Sequence, residues 1–430
     1  MHKLSNIARI ARHPLFPLLA AGLAARVLAS LLPFTHPVDI ACFKGWAGAL
    51  FQHGLAGFYS GAGFHDYPPG YMYILWPLGA IRARLRLSYS GYAFTLLVKL
   101  PAMLLDLAAC AVIYRAARGR LGGGGKGGAA ALGVAALYCF NPAVILLSAV
   151  WGQVDAVYTF TVLISLIFLA DKKYLYSFLI FALSILIKPQ SLMFTPIYLF
   201  AVFMHLKEER FSARAFGRML RYLGVCLLAL FALVLPFARL SDGLAGFKPV
   251  VSQFIGAFSA YPYASFGAFN IYALFGQNFM PLGGKFLGVG YAAWGTAALA
   301  AVTVLSLLYL SRRREKPDLF FAGVLISVSV LFLSTRMHER YAFPALALLL
   351  FAFALRGGRR LIILYCLLSL AFFVNYADIL NMSVHNFNYN LIKRNAVVFS
   401  VLTLAAWAYM ILAAFRAWRG EDDRSTFFKV

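Results

Sequence analysis

Two apolar runs, PLFPLLAAGLAARVLASLLPF at 14–34 and NAVVFSVLTLAAWAYMILAAF at 395–415, constrain this chain most. Each approaches the roughly 20 residues that carry a helix across a bilayer. In hydrocarbon a spanning segment must satisfy its own backbone hydrogen bonds, and long continuous apolar runs do so as helices. Similar runs recur along the 430 residues, 62% of which are hydrophobic and only 13% charged, too apolar for a soluble enzyme of this length. The sequence therefore predicts an all-α polytopic membrane protein. The first run has no small-residue cleavage site and many runs follow it, so it reads as the first span and not as a removed signal peptide.

Hydropathy predicts about twelve (11–14) transmembrane helices. They lie near 14–34, 91–114, 128–149, 153–170, 174–187, 190–205, 219–239, 287–310, 318–335, 340–355, 360–378 and 396–416. The whole chain, 1–430, reads as a single integral membrane domain. A long first external loop at 35–90 carries interfacial helices, and a second large external loop lies at 240–286. The stretch 69–81 is taken as part of the first loop, although a short separate span is the alternative. The net charge of +24 reads as topogenic, because Lys and Arg hold loops in the cytoplasm. Nucleic acid is not an expected partner. An inside N-terminus and inside C-terminus place most of the 39 Lys and Arg on the cytoplasmic side. The expected location is a bacterial inner or plasma membrane, with membrane lipids as surroundings. The five cysteines are scattered without metal-ligand spacing and imply neither a disulfide framework nor a zinc site.

The fifteen acidic residues can be sorted one by one. Most lie in or beside cytoplasmic segments, where they mix with Lys and Arg, the tail acids Asp422 and Asp423 among them, and Asp106 falls within a span. Asp39, Asp66, Asp155, Asp242, Glu339 and Asp378 fall at the outer side. The unusual local sequences share that side: HPVDIACFKGWA, HDYPPGYMY, VWGQVDAVYTF, ILIKPQSL, AYPYASFGAFNIYALFG and STRMHERYAFP. Their convergence under one topology points to a single external site. Asp39 and Asp66 also fit helix N-caps. Lys188, between two short apolar segments, is costly unless it snorkels or meets an anion. Arg336, His338 and Arg340 in RMHER suit a phosphate, which arginine grips bidentately, or form an ordinary charged turn. Tyr67 is a candidate to stack on a sugar, and His65, Gln153, Gln190, Tyr263, Asn270 and Glu339 to contact substrate.

These residues resemble the GT-C superfamily of membrane glycosyltransferases that use polyprenyl-phosphate sugars. The likeness is greatest to the dolichyl-phosphate-glucose-dependent glucosyltransferases of N-glycan assembly and to bacterial relatives described as GPI-type mannosyltransferases. The pattern runs in order: Asp39 with Trp46, DYPP at Asp66 to Pro69, GQVDA with Gln153 and Asp155, Lys188 with Gln190, and the triplet His338, Glu339, Arg340. The chain departs from the pattern at WGQVD and at KPQ, and its 260–276 segment does not match the eukaryotic loop.

The resemblance implies an inverting transfer of one hexose, mannose or glucose, from a polyprenyl-phosphate donor to a lipid-linked or cell-envelope glycan acceptor. It makes Asp39 the general base, Asp66 the group that orients a sugar and Asp155 a reserve base. Lys188, Arg336, His338 and Arg340 would hold the lipid phosphate. No cofactor is implied; a divalent metal is possible but not required. A lipid-linked sugar flippase or other transporter, and an oligosaccharide ligase using a pyrophosphate donor, are the alternatives. A flippase would spread charge through the bundle and favour an internal repeat, and neither pattern is visible.

Overall fold

Proline and short polar side chains set many of the helix starts. Pro37 opens a helix at its first position, where the missing N–H costs nothing, and the His36 ring Nδ1 accepts the Asp39 N–H at 3.2 Å. Pro69 opens the next helix in the same way. Asn141 caps a one-turn helix at Pro142–Ile145, and Ser212 caps a long one through the Ala215 N–H. Neither Asp39 nor Asp66 is itself an N-cap: His36 caps the helix that Pro37 opens, and Pro68, with no side-chain cap, precedes the one that Pro69 opens.

The computed structural model describes residues 13–61, 63–256 and 261–421. The basic N-terminal stretch through residue 12 and the tail acids Asp422 and Asp423 lie outside the described residues. Helices α1 (Leu15–Ser30), α2 (Pro37–Phe58), α3 (Pro69–Arg84), α4 (Tyr92–Leu121) and α5 (Gly125–Cys139) come first. They are followed by α6 (Asp155–Ala170), α7 (Tyr174–Ile187), α8 (Thr195–Glu208) and α9 (Ala213–Val234). After a stretch of short elements come α10 (Tyr291–Arg312), α11 (Lys316–Leu333), α12 (Pro344–Arg356), α13 (Arg359–Val384) and α14 (Lys393–Trp418). Helices α11 and α12 are apolar on all sides and almost wholly buried, so they form the centre of the bundle.

The chain is a multi-pass helical membrane protein, but the twelve-span count is not met. Among the described residues six helices are long and apolar enough to cross a bilayer, or seven if the bent pair Gly125–Cys139 and Pro142–Trp151 counts as one span. Four further apolar helices, α1, α6, α7 and α12, have 13 to 16 residues. At 1.5 Å per residue they reach only about 20–24 Å, short of a core of about 30 Å. Hydropathy measures apolar length and is blind to where a helix breaks.

The first loop, 35–90, folds as the pair α2 and α3. Gly54 bends α2 with a φ of +67°. Two close approaches set α3. A side chain at Gly79 would strike the Ala47 carbonyl of α2, and one at Gly70 would come within 2.6 Å of the Leu186 backbone of α7. The second loop contains two short helical stretches, Leu240–Phe247 and Lys248–Gly256, and small β elements. Strand β1 (Ser265–Phe266) pairs in parallel with β4 (Met337–His338), while β2 (Lys285–Phe286) and β3 (Val289–Gly290) form a hairpin. The β1–β4 pair ties the second loop to the segment between α11 and α12.

Candidate functional site

All six unusual segments meet at one end of the bundle. The turn before α6 determines how. Residues Leu146–Trp151 form a π-helical turn, a feature that often marks functional positions, and Gly152 closes it in the left-handed conformation at φ +90°. Lys99 of α4 donates to the Val150 carbonyl and to Thr35 Oγ1, both at 2.8 Å, and so fixes the end of the turn. The turn points Trp151 and Gln153 at Asp39. Trp151 Nε1 donates to Asp39 Oδ2 at 2.7 Å and Gln153 Nε2 donates to the same oxygen at 2.5 Å. Gln153 Oε1 accepts from the Tyr67 hydroxyl at 3.4 Å. The His36 ring stacks flat on Trp151, with centroids 4.9 Å apart.

Asp39 opens onto a cavity of about 400 Å³ whose walls include Trp151, Tyr261, Tyr263, His338, Glu339 and Arg340. Its Oδ2 carries both hydrogen bonds; its Oδ1 takes none among the described residues and stays accessible. Burial pushes the Asp39 carboxyl up. The Arg340 charge and the two hydrogen bonds outweigh that, and its pKa lies below the ordinary 3.8. Asp39 is thus held as a carboxylate with one free oxygen facing the cavity. Burial lowers the neighbouring His36, which stays neutral and accepts the backbone N–H with its Nδ1 lone pair.

A second layer of charge lies behind this wall. Lys188 Nζ bonds both oxygens of Asp155, at 2.8 and 2.9 Å, and the rings of Tyr67, Tyr158 and Tyr341 surround it at 5.3–5.9 Å. Arg340 bonds Glu339 at 2.5 Å, and its Nε lies 3.7 Å from Asp155. Burial raises the Glu339 carboxyl despite Arg340. His338 is enclosed by Tyr261, Phe266 and Tyr341, and among the described residues its Nε2 has no hydrogen-bond partner. Burial, with Arg340 and Lys188 nearby, holds it well below the ordinary histidine range, so it is neutral. Among the described residues no three His, Cys, Asp or Glu side chains form a metal-ligand group.

A separate groove of about 590 Å³ runs between α10, α11 and the start of α8. Leu192, Met193, Leu299, Val302, Ile326 and Val330 make it apolar, and Gln190, Arg336, Tyr261 and Tyr341 give it a polar end. Tyr261 lines both groove and cavity. Its hydroxyl donates to Asp66 Oδ2 at 3.1 Å, and its ring meets His338 edge-on. Burial raises the Asp66 carboxyl; the Tyr261 bond opposes that and the Asp39 charge adds to it.

The predicted residues therefore sort into places. Asp39, His338, Glu339, Arg340 and Tyr263 line the cavity, and Gln153 and Tyr67 support Asp39. Asp155 and Lys188 form the ion pair behind, neither lining the cavity. Gln190 and Arg336 line the groove. Asp66 reaches the site through Tyr261, whereas His65 packs on Phe58 and Tyr59 outside both linings. Asn270 is placed differently from expectation. It is fully buried, caps a short helix at Ile271–Leu274 and donates to the Leu331 carbonyl, which leaves it no substrate to touch. Sequence reasoning passed over His36, Trp151 and Tyr261 as site residues, and Lys99 and Asn375 as their supports. Asn375 of α13 clamps the loop beside Glu339 through the Phe269 N–H and the Gly267 carbonyl. Only the clustering of His36 beside Asp39 and of Trp151 beside Gln153 offered a signal.

A family model described as GPI transamidase subunit PIG-U matches residues 41–259, half of the chain. The chain belongs to the PIG-U family. No curated protein matches it. The matched stretch contains Asp66, Gln153, Asp155 and Lys188 but begins just after Asp39 and ends before Tyr261 and the His338–Arg340 triplet. The family match thus spans the supporting layer of the site, and the cavity wall opposite Asp39 comes from outside it.

Proposed function

We propose that this PIG-U family member is an inverting glycosyltransferase that moves a single hexose from a polyprenyl-phosphate donor to a lipid-linked or envelope glycan. The observation that carries this reading is the free Oδ1 of Asp39 in a cavity that meets an apolar groove at Tyr261. The groove suits a polyprenyl chain, and the cavity suits a sugar. Arg336 at the end of the groove and Arg340 in the cavity wall are placed to take the phosphate between them. In the reaction the acceptor hydroxyl gives its proton to Asp39 as its oxygen attacks the anomeric carbon. The bond from that carbon to the phosphate oxygen breaks, and the charge released on the phosphate is met by the arginines. Lys188 neutralises Asp155 and so keeps Arg340 from being consumed by two acids. In this reading the site face is the periplasmic or extracellular one of an inner or plasma membrane, the side opposite the Lys- and Arg-rich segments.

The family description favours one other reading, a subunit that binds a glycosylphosphatidylinositol-type lipid in this site without turning it over. Among the described residues the cavity lining holds no Ser, Thr or Cys side chain, so it lacks the hydroxyl or thiol nucleophile usual in covalent acyl transfer. Purified protein incubated with labelled polyprenyl-phosphate mannose or glucose and a membrane glycolipid extract separates the two. Labelled glycolipid of inverted anomeric configuration supports the transferase. Saturable binding of the extract's glycolipids with no transfer from either donor supports the subunit.

A further inference from the structure

The opposite end of the bundle holds a basic pocket that the proposed reaction does not use. Ile379 and Met382, near the end of α13, line the site cavity. Arg359, at the start of the same helix, is therefore about 30 Å away at 1.5 Å per residue. There Arg359 and Arg360 of α13 face Arg416 of α14 across a cavity of about 270 Å³ that also includes Ile363, Tyr409 and Leu412. Arg360 donates to the Glu421 carbonyl at 2.5 Å, which straps the end of the chain across the start of α13. Arg359 and Arg416 are exposed, and among the described residues neither has an acidic partner.

This arrangement has an electrostatic cost. The N-terminus of α13 is the positive end of its dipole, and its Gly358 N-cap supplies no side-chain acceptor. Arg359 in that first turn stands against the dipole, and Arg416 adds a second charge beside it from another helix. Topogenic charge needs only to lie on one side of the membrane; it does not need to converge from two helices on one pocket. An anion relieves the repulsion. Ile363 and Leu412 lie one turn deeper along the same seam and make the inner wall apolar. We propose that this seam between α13 and α14 binds an acidic phospholipid, with its headgroup phosphate on Arg359 and Arg416 and its acyl chains along Ile363 and Leu412.

Full-length protein, delipidated in a neutral detergent, is titrated with dioleoyl-phosphatidylglycerol or dioleoyl-phosphatidylcholine, and bound lipid is read by native mass spectrometry. Wild type is expected to prefer the phosphatidylglycerol, and Arg359→Gln with Arg416→Gln to weaken that binding by about 30-fold, from about 1 kcal/mol per arginine. Arg214→Gln, an exposed arginine outside the pocket, is expected to change nothing. Each single variant is measured as well, so that misfolding of the pair leaves the question answerable. Equal binding of the two lipids, or a preference that survives the substitutions, overturns the proposal. Inorganic phosphate that displaces the lipid and binds as tightly by itself assigns the pocket to a free anion instead, which also overturns it.

Discussion

Among the described residues two buried charge sets invite comparison, the cluster at the site end and the Arg26–Asp106 pair, and of these two only the first lines a cavity. At the site end Asp39, Asp155, Lys188, Glu339 and Arg340 form a layered cluster whose outer members line a cavity. Within the bundle Arg26 of α1 faces Asp106 of α4 at 3.5 Å, both side chains fully buried. Arg26 also donates to the carbonyls of Gly22 and Cys139 at 3.1 and 2.8 Å, so it joins α1, α4 and the end of α5. Among the described residues its Nε and one terminal nitrogen, and both Asp106 oxygens, lack a hydrogen-bond partner. Charge in an apolar interior is therefore not by itself the mark of a site. Access is the difference: the inner pair holds three helices together, whereas the outer cluster leaves one carboxylate oxygen and one guanidinium facing space.

The sharpest way to break this contrast is to cut each ion pair from one side. Asp106→Asn is expected to lower stability by about 3–5 kcal/mol, because it strands a buried arginine, while residual folded protein keeps its donor binding. Replacing both partners, Arg26→Met with Asp106→Leu, is expected to recover most of that loss in thermal unfolding. Lys188→Met is expected to cost a similar ~3–5 kcal/mol and also to abolish transfer. Here the double change, with Asp155→Leu, should restore the melting temperature but not the activity. If it restores both, the two pairs are equivalent and the contrast fails.

A smaller effect tests how the first loop is held against the bundle. Gly70→Ala drives a methyl group into the Leu186 backbone and is expected to cost about 1–3 kcal/mol. Gly45→Ala, where a side chain meets open space, should leave the melting temperature within a degree or so of wild type.

The smallest effect is a pH dependence. His338 and His36 are both held below the ordinary 6.5 in the folded chain. Below pH 6.5 the unfolded chain takes up protons that the folded chain refuses, so stability is complete above that value and falls as the pH drops beneath it. His338→Gln should flatten the denaturation midpoint between pH 6.5 and pH 5, and the His36 share should remain. A midpoint that rises as the pH drops through this range would show that His338 is charged in the fold.

Some of this was legible in the sequence and some was not, for physical reasons. Apolar run length identified the helical membrane class, and the distribution of unusual polar segments identified one end of the bundle. It placed Asp39, Gln153, Tyr67 and Arg340 in one neighbourhood. Span number was not legible, because α7 and α12 are as apolar as true spans yet break after 14 and 13 residues. Partners were not legible either. Lys188 reads as a cation in search of an anion until Asp155, 33 positions earlier, is found against it. Asn270 reads as a substrate ligand until its oxygen is found on two backbone N–H groups. The π-helical turn that aims Trp151 has no sequence signature beyond the Gly152 that closes it.

If Asp39 is the base of a sugar transfer, its loss must stop the chemistry and spare the binding. The direct measurement is transfer from labelled polyprenyl-phosphate mannose and glucose by wild type and Asp39→Asn, with donor binding determined on the same samples. Wild type is expected to transfer the sugar and the variant to be about 10²–10⁴-fold slower, with donor binding retained. Undiminished transfer by Asp39→Asn, or no transfer by wild type from either donor, would contradict that role.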